Sequence, residues 1–451
     1  MKEILPKINL IALSLFVALF ILRSVVSSSI IDLIMALLTV TVFAAGYAKL
    51  SGLNKKIIGI LLGISALMLI SGTASVAPVA AINENAGIAV LLLTVPLLGF
   101  ILSYAPYERI IERFVADNMH TGYRLYALTL GLVVFLAALM SIGSLPFAYQ
   151  LMRPSAAHYS EKVLHLALTR GFIMTMYWAP NLICVAIVMK YVHVSWEELA
   201  LAGVVFAFGA YVVAMLLGLF ELRGIVEKDR VIVASTRKTN DMKRALILLV
   251  QVAAILCTIM LITNKLGMTI FFAVSVVALT MPLLIALITG KLQIWINRLR
   301  DYCSQSINAG INQYLMFITI GIFGHVLGHS TIILQLQKHC AFIGELGTIA
   351  VSLIIISIIA LLSLVGLHPI ITISALAVSI GGMELALNKI QLGMSLISGY
   401  ILYSILSPFS AEVMIMSAIT NKNTYQMGIG LNWHFALLYM IVVEILIYAY
   451  S

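Results

Sequence analysis

Long apolar runs joined by short polar segments make up most of the sequence. Many runs approach the roughly 20 residues that an α-helix needs to cross a bilayer, and they carry few charges. They are continuous and do not alternate with polar residues, which favours helices over a β-barrel. The predicted spans are residues 8–22, 30–47, 57–77, 86–104, 123–142, 172–190, 196–219, 245–263, 269–287, 311–327, 346–365, 368–382, 389–406 and 433–449.

The sequence contains signs of an internal repeat. Residues 93–98 read LTVPLL, and residues 279–284, at an offset of 186, read LTMPLL. Two further pairs keep nearly the same offset, namely Gly143 with Gly328 and Pro180 with Pro369. We therefore predict a duplicated unit, at residues 57–219 and 245–407. The first copy holds an odd number of predicted spans, so the two copies are expected to be inverted in the membrane.

The repeats set the predicted organisation of the chain. Residues 220–244 form the densest basic segment, and the positive-inside rule places this linker in the cytoplasm. The linker is too short to bury a core of its own. The predicted parts are two N-terminal transmembrane helices in 1–56, the first repeat in 57–219, the linker in 220–244, the second repeat in 245–407, and a broken helix with a C-terminal transmembrane helix in 408–451.

Each predicted repeat contains two segments that differ from plain spans. Residues 106–119 and 291–304 place apolar and charged residues on opposite helix faces, so we expect both to lie flat at the membrane surface. Residues 143–157 and 328–344 directly follow apolar spans and are too short to cross again as full helices. We predict that they are re-entrant hairpins lining a cavity, with ordinary surface loops as the alternative.

Three polar segments that contain a proline interrupt apolar runs, at residues 175–181, 366–374 and 404–412. A proline removes one backbone hydrogen bond and frees a carbonyl, so an unwound turn there offers carbonyls to a cation and a helix N-terminus to an anion. The alternative is a kinked helix that only packs. Glu412 stands at the third interruption. A carboxylate at membrane depth is expensive and indicates function, unless this helix end lies at the interface.

Histidines gather in the second repeat, at His325, His329, His339 and His368. His325 and His329 are four residues apart on one helix face. Three interpretations stay open for them: metal ligands, a proton or substrate contact, or polar packing. No set of cysteine or acidic residues completes a metal site at suitable spacing, so no metal and no cofactor is assigned.

Composition narrows the class of function. Hydrophobic residues make up 62% of the chain and charged residues 10%, whereas about a quarter of a globular protein is charged. The basic loops account for the net charge of +9, and without interleaved aromatic residues no nucleic-acid partner is expected. The cysteines lack C-x-x-C spacing and are interpreted as small apolar fillers. No Walker loop, G-x-S-x-G elbow or H-E-x-x-H pair is present, so we expect neither an enzyme nor an ATP-driven pump.

Two repeats that each combine an interfacial helix, a hairpin and a proline-broken helix resemble the ion transporter superfamily. This superfamily includes divalent anion:sodium symporters and the large permeases of TRAP transporters. The resemblance covers about residues 57–420 and is one of layout. It implies hairpin tips with the sequence Ser-Asn-Thr and broken helices with small polar residues, which together hold sodium and the carboxylates of the substrate.

The functional positions of that family map onto this chain one by one. The tips correspond to Ser141, Gly143 and Ser144, and to His329, Ser330 and Thr331. The broken helices correspond to Pro180 with Asn181, and to Pro369 with Thr372. Neither tip has the asparagine, and His329 stands where the asparagine is expected, so sodium coupling and dicarboxylate specificity stay open.

We therefore predict an all-α polytopic membrane protein with two inverted repeats, re-entrant hairpins and proline-broken helices, located in the cell inner membrane. Its predicted function is secondary active transport of a small, anionic solute by alternating access, coupled to a cation gradient. The sequence leaves open whether the ion is Na+ or H+ and whether the chain forms a homodimer. The alternatives are a polytopic enzyme or assembly factor acting on a lipid-linked envelope substrate, and a channel or sensor. The first usually has a sizeable external loop and the second a polar pore stripe, and neither is found.

The predicted site lies between the two halves near the middle of the membrane, where a two-fold axis would bring equivalent polar positions together. Its residues are Ser144, Asn181, Ser330, Thr331, His368 and Thr372. Further candidates are His329, Ser407, Ser410 and Glu412. None of these is an arginine or lysine, so an anion would depend on helix N-termini and a bound cation for neutralisation.

Overall fold

The computed structural model describes residues 4–47, 50, 52–107, 109–111, 113, 121–156, 159–223, 239–339, 343, 346–380 and 385–450. The α-helices are α1 (Ile4–Val25), α2 (Ser29–Gly46), α3 (Gly52–Ile70), α4 (Pro78–Asn83), α5 (Ala86–Thr94), α6 (Gly122–Met140), α7 (Ser144–Ala156), α8 (Glu161–Thr175), α9 (Ile183–Val192), α10 (Trp196–Glu221), α11 (Thr239–Leu266), α12 (Ile270–Ile288), α13 (Leu292–Asp301), α14 (Ile307–Gly328), α15 (Thr331–His339), α16 (Thr348–Leu364), α17 (Pro369–Ile380), α18 (Lys389–Leu406), α19 (Ala411–Thr420) and α20 (Leu431–Ala449).

The chain is an all-α polytopic membrane protein. Within the described residues, ten helical stretches are long and apolar enough to cross a membrane. Large apolar side chains also cover the outer faces of these helices; on α10, for example, Leu201 is 74% exposed and Phe208 65% exposed. Such faces are stable in contact with lipid, where exposed apolar surface costs nothing.

Three predicted spans end early, change helix type or are interrupted. The span at 57–77 ends early, because α3 stops at Ile70. The span at 86–104 changes from α-helix to a 3₁₀-helix over Val95–Ser103, with Pro96 in its first turn, whereas Pro282 of the near copy lies inside α12. A proline cannot donate the backbone hydrogen bond of a helix, and the chain accommodates this loss in two different ways. The span at 172–190 is interrupted, as described below.

The helices form two compact units, each built from separate stretches of the chain. Unit 1 consists of Met1–Tyr104, Ile255–Phe342 and Ser374–Glu384. Unit 2 consists of Ala105–Ala254, Ile343–Ile373 and Leu385–Ser451. Each unit draws on both predicted repeats, so the compact units differ from the duplicated segments. The duplication and its inversion therefore stay predictions.

In unit 1, α14 is the central helix and packs against α3, α4 and α5. Two of its polar groups are bonded across helices: Tyr314 bonds the hydroxyl of Thr39 at 3.1 Å, and the carbonyl of Phe317 accepts from Asn85 at 3.0 Å. Gly321 permits the second contact, because a Cβ there would lie 2.8 Å from the side chain of Asn85. Buried polar groups must be paired in this way inside a membrane.

In unit 2, α18 lies at the centre and packs against α9, α10, α16 and α20. Reciprocal capping boxes fix where two of these helices begin: Ser195 with Glu198 at α10, and Asn388 with Gln391 at α18. Each box satisfies two backbone amides that the first helical turn leaves without a partner. The two helices thus start at defined positions.

The two predicted interfacial segments differ in how much of them can be described. Much of 106–119, and residues 224–238 of the basic linker, lie outside the described residues. The second segment forms α13, none of whose residues is buried, and continues through a π-helical turn at Tyr302–Ser306 into α14. Its location at a membrane surface stays a prediction.

Candidate functional site

Three interruptions between helices lie in unit 2, at residues 176–182, 365–368 and 407–410. They coincide with the three proline-containing segments of the sequence, since Pro180 lies in the first, Pro369 begins the helix after the second, and Pro408 lies in the third. Pro369 occupies the first helical position, where the missing amide hydrogen costs nothing. The sequence prediction of broken helices is correct at these positions.

The first interruption, between α8 and α9, is held by side chains that bond its exposed carbonyls. The thiol of Cys184 donates to the carbonyl of Met176 at 3.3 Å, and the indole of Trp196 donates to the carbonyl of Trp178 at 2.9 Å. Gly203 of α10 lies directly against this backbone, because a Cβ there would be 2.2 Å from the carbonyl oxygen of Tyr177. The unwound turn is therefore a packed feature of the fold.

The second interruption follows α16 and is made by a glycine. Gly366 has a φ of +95°, a conformation that other residues adopt only with strain. The amide of Gly366 donates to the carbonyl of Ser363, and the amide of Leu367 donates to that of Leu362, both at 3.1 Å. These two bonds form a Schellman motif, which ends α16 and turns the chain towards His368.

The third interruption, between α18 and α19, uses serine hydroxyl groups. Ser407 donates to the carbonyl of Ser363 at 2.8 Å, which ties this interruption to the end of α16. Ser410 donates to the carbonyl of Ser404 at 2.9 Å and accepts from the amide of Val413 at 3.1 Å, so it caps α19. Both hydroxyl groups thus hold the broken backbone, and a role of Ser407 and Ser410 as ligands stays a prediction.

The polar side chains around these interruptions form what we call the Glu412 cluster, consisting of His368, Tyr400, Tyr403, Ser404 and Glu412. The ring centre of His368 lies 5.6 Å from that of Tyr403 and 6.4 Å from that of Tyr400. Glu412, in the first turn of α19, is close enough to act electrostatically on both tyrosines. The cluster thus joins the second interruption, α18 and the third interruption.

The first interruption reaches the same cluster through α9. Cys184, in the first turn of α9, lies within electrostatic range of both Glu412 and Tyr400. A hydrogen bond of 2.7 Å between the hydroxyl groups of Tyr177 and Ser398 connects the first interruption with α18. All three interruptions of unit 2 therefore border on one set of side chains.

Glu412 is buried, with only 7% of its surface exposed, and one of its carboxylate oxygens has no hydrogen-bond partner. The hydroxyl of Ser404 is nearby but is also left without a hydrogen bond. The sequence left open whether this glutamate marks a helix end at the membrane interface; the structure places it in the first turn of α19, buried within the protein, and its depth in the membrane stays a prediction. A buried carboxyl with an unused oxygen is costly, so it is a strong functional candidate.

Three further predicted site residues of unit 2 are buried and carry unpaired polar atoms. They are the hydroxyl groups of Ser144 and Thr372 and the amide nitrogen of Asn181. Ser144 begins α7 after a 3₁₀ turn, Asn181 lies in the first interruption, and Thr372 is in the first turn of α17. Such atoms inside a membrane protein are candidates for contact with a ligand or water.

The other predicted residues, His329, Ser330 and Thr331, belong to unit 1. Ser330 is buried and donates to the carbonyl of Leu327 at 2.7 Å. Thr331 is exposed, and its amide donates to the carbonyl of Thr73 at 2.9 Å. The tip between α14 and α15 is thus paired with the loop after α3, through an isolated β-bridge of Ala74 with Ser330. A common site with the residues of unit 2 stays a prediction.

The histidine pair of unit 1 has an acidic neighbour that the sequence did not reveal. Nδ1 of His325 lies 2.8 Å from a carboxylate oxygen of Glu84, 241 residues away in the chain. The rings of His325 and His329 are 4.4 Å apart between centres. Among the described residues, no group of three or more His, Cys, Asp and Glu side chains is arranged to hold a metal ion. The geometry gives the metal interpretation no support.

A second buried polar cluster in unit 2 surrounds Arg170 on α8, which is completely buried. Arg170 forms a bidentate ion pair with Glu221, with nitrogen to oxygen distances of 2.8 and 3.0 Å. It also donates to the hydroxyl of Tyr126 at 3.0 Å and to the side chain of Asn432 at 3.4 Å. We call this set the Arg170 network; it links α6, α8, α10 and α20.

Sequence reasoning missed Tyr400, Tyr403, Cys184 and Arg170 as residues of interest. The two tyrosines lie within an apolar run, where aromatic residues usually only pack. Cys184 was taken as filler, and Arg170 lies 51 residues from its partner. For Arg170, the signal was an arginine just before the apolar run of residues 171–189, which requires a partner for its charge.

Comparison with known proteins bears on the fold of the chain. No protein-family model matches the sequence, and no curated protein matches it either. Among solved structures, the chain is similar to the YdaH transporter of Alcanivorax borkumensis, whose crystal structure is described as revealing an unusual topology. The TM-score is 0.54, the identity is 14%, and the match covers 88% of this chain and 96% of that chain. The chain thus has a fold that a membrane transporter uses, while the resemblance to the ion transporter superfamily stays a prediction.

Proposed function

We propose that this protein is a secondary active transporter that moves a small anionic solute by alternating access, driven by a cation gradient. The observation that carries the proposal is the meeting of three helix interruptions around the buried Glu412 cluster in unit 2. Discontinuous helices are where carriers bind solutes and coupling ions, because broken backbone supplies polar groups at membrane depth. The similarity in fold to a transporter supports the same conclusion.

The anionic character of the solute follows from the groups that the interruptions present. The helices α9, α17 and α19 begin at the interruptions, and helix N-termini carry partial positive charge. Asn181 adds a buried amide nitrogen that has no hydrogen-bond acceptor, and Ser144 and Thr372 add unpaired hydroxyl groups. Donors without acceptors are what an anion would satisfy. We therefore include Ser144, Asn181, His368 and Thr372 in the proposed binding site.

Transport by the purified protein in liposomes tests the proposal. Radiolabelled succinate, citrate, aspartate and sulfate serve as probes, each supplied with an inward gradient of Na+, of H+ or of neither. We expect at least one probe to accumulate above its equilibrium level and to be recovered chemically unchanged. Recovery of an altered product would instead favour the enzyme acting on an envelope substrate.

The variant Asn181→Ala tests the proposed site within the same assay. Uptake of the transported probe should fall, because a buried donor for the anion is lost, while folding is preserved. Asn297→Ala is the matched control, since Asn297 is exposed on α13. Equal rates for wild type, Asn181→Ala and Asn297→Ala would show that the site lies elsewhere.

A further inference from the structure

Five backbone carbonyls at and beside the interruptions accept hydrogen bonds from side chains of the protein. Around the third interruption, the carbonyls of Ser363, Ser404 and Phe409 accept from the hydroxyl groups of Ser407, Ser410 and Tyr403, at 2.8, 2.9 and 3.4 Å. At the first interruption, Cys184 and Trp196 occupy two further carbonyls. In transporters, such unwound carbonyls are the groups that coordinate Na+. Here they are engaged in holding the broken chain.

Glu412 differs from these groups because one of its oxygens is left unused. Its side chain is buried, and among the ion pairs of the described residues none involves Glu412. Its neighbours are neutral hydroxyl, phenol and thiol groups, which do not compensate a fixed negative charge in a medium of low polarity. The first turn of α19 and the nearby hydroxyl of Ser404 favour the ionised form, against the burial of the side chain. The surroundings therefore suit a carboxyl group that alternates between its two protonation states.

The titratable groups that face Glu412 are Tyr400 and Tyr403 of α18 and Cys184 of α9, with His368 beside the tyrosines. The helices α7 and α8 and the π-helical segment Gln426–Gly430 also pack against α19. The π-helical segment has no titratable residue. On α7 and α8, Arg153, Glu161 and Lys162 are exposed, Tyr149 and His165 stack on each other, and Arg170 is paired with Glu221. No cation of these helices is therefore directed at Glu412.

We infer that the coupling ion is H+ and that Glu412 is the side chain that carries it. The inference rests on the proposed function. A proton needs a single basic oxygen, whereas a metal cation needs several oxygen ligands. The third interruption offers one unpaired oxygen, that of Glu412, whereas the three carbonyls described there already accept hydrogen bonds. During transport, the Glu412 carboxylate would accept a proton from water on one side of the membrane and release it on the other.

The test compares wild type with Glu412→Gln, which keeps the size of the side chain and cannot carry a proton. Glu444→Gln is the matched control, since Glu444 on α20 is another buried glutamate with one unpaired carboxylate oxygen, while its other oxygen accepts a hydrogen bond from Ser352 and it lies outside the Glu412 cluster. Each protein is reconstituted with the transported probe from the panel above, and internal pH is followed with trapped pyranine. Two assays are run: exchange of labelled for unlabelled probe without ion gradients, and net uptake driven by a more acidic outside without Na+.

We expect all three proteins to exchange the probe, because exchange needs no net proton movement. Wild type and Glu444→Gln should accumulate it with the pH gradient and acidify the interior, whereas Glu412→Gln should fall to the rate of protein-free liposomes. Persistent accumulation by Glu412→Gln, or a wild type that responds to Na+ and ignores pH, would overturn the inference and leave the proposed function intact. Absence of exchange with every probe in wild type would contradict the proposed function and the inference together.

A chemical measurement covers the case in which Glu412→Gln does not fold. Dicyclohexylcarbodiimide reacts with protonated carboxyl groups in apolar surroundings, and peptide mass spectrometry locates the modified residue. Wild type should be labelled at Glu412, less so as the pH rises, and pH-driven uptake should be lost in proportion. Full labelling that leaves pH-driven uptake unchanged, or no labelling of Glu412 at any pH, would be incompatible with a proton-carrying role.

Discussion

Unit 2 contains two buried polar clusters that differ in how completely their hydrogen bonds are satisfied. In the Arg170 network, the charge is paired bidentately with Glu221 and bonded further to Tyr126 and Asn432. In the Glu412 cluster, an oxygen of Glu412 and the hydroxyl of Ser404 have no hydrogen bond. The first cluster joins four helices, and the second borders three interruptions. Complete pairing indicates a role in stability, and incomplete pairing indicates a group kept available for a ligand or a proton.

The largest effect is expected from breaking the Arg170 network. Arg170→Met leaves the carboxylate of Glu221, whose side chain is 13% exposed, without its partner, which should lower the free energy of unfolding by about 3 kcal/mol. Thermal unfolding of the purified protein in detergent measures the loss. The double variant Arg170→Met with Glu221→Leu is the control, because removing both charges should restore most of the stability. A double variant as unstable as the single one would show that the network acts through packing alone.

The next largest change in stability is expected at the close contact between Gly203 and the first interruption. Gly203→Ala places a Cβ 2.2 Å from the carbonyl oxygen of Tyr177, so α10 or the interruption has to move, at a cost of about 1–3 kcal/mol. Gly131→Ala on α6 is the matched control, since a Cβ there meets no atom within 4 Å and should be neutral or slightly stabilising. Equal melting temperatures for the two variants would contradict the rigid packing described for this interruption.

Replacing Glu412 by leucine should raise the stability of the protein, whereas breaking the Arg170 network should lower it. Glu412→Leu removes an unsatisfied buried polar group, so stability should rise by about 1–3 kcal/mol. Uptake driven by the pH gradient should nevertheless be lost, as expected where a functional group is kept at the expense of stability. The melting temperature and the liposome assay are measured on the same preparation. A marked loss of stability would place Glu412 in the same class as Arg170.

The smallest effect is expected from one hydrogen bond at the third interruption. Tyr403→Phe removes the bond of 3.4 Å from the tyrosine hydroxyl to the carbonyl of Phe409, which is worth about 0.6 kcal/mol by analogy with other bonds between membrane helices. Tyr211→Phe, at a side chain 37% exposed, should change the melting temperature less. A loss of several kcal/mol in Tyr403→Phe would show that this hydroxyl also stabilises the Glu412 carboxyl.

The sequence predicted the helices of the chain well, and the prolines correctly located the interruptions at residues 176–182 and 407–410. It also singled out Glu412 and His368, because polar residues in apolar surroundings are costly. Ser407 and Ser410 were further candidates for the site, and the structure shows that their hydroxyl groups cap and hold the backbone. A serine beside a proline fits both roles equally well, and only the position of the neighbouring carbonyl distinguishes them.

The all-helical class was determined by the sequence alone, because apolar runs of this length must satisfy their backbone hydrogen bonds internally when they enter lipid. The positions of the helix interruptions were also determined by the sequence, since a proline removes a backbone hydrogen bond of a helix whatever its tertiary contacts are. Which polar groups become neighbours was decided by the tertiary structure: Arg170 meets Glu221 across 51 residues, and Tyr177 meets Ser398 across 221 residues. Such pairings depend on how the helices pack. The hydrophobic pattern predicts which segments are buried but does not predict which helices pack against each other.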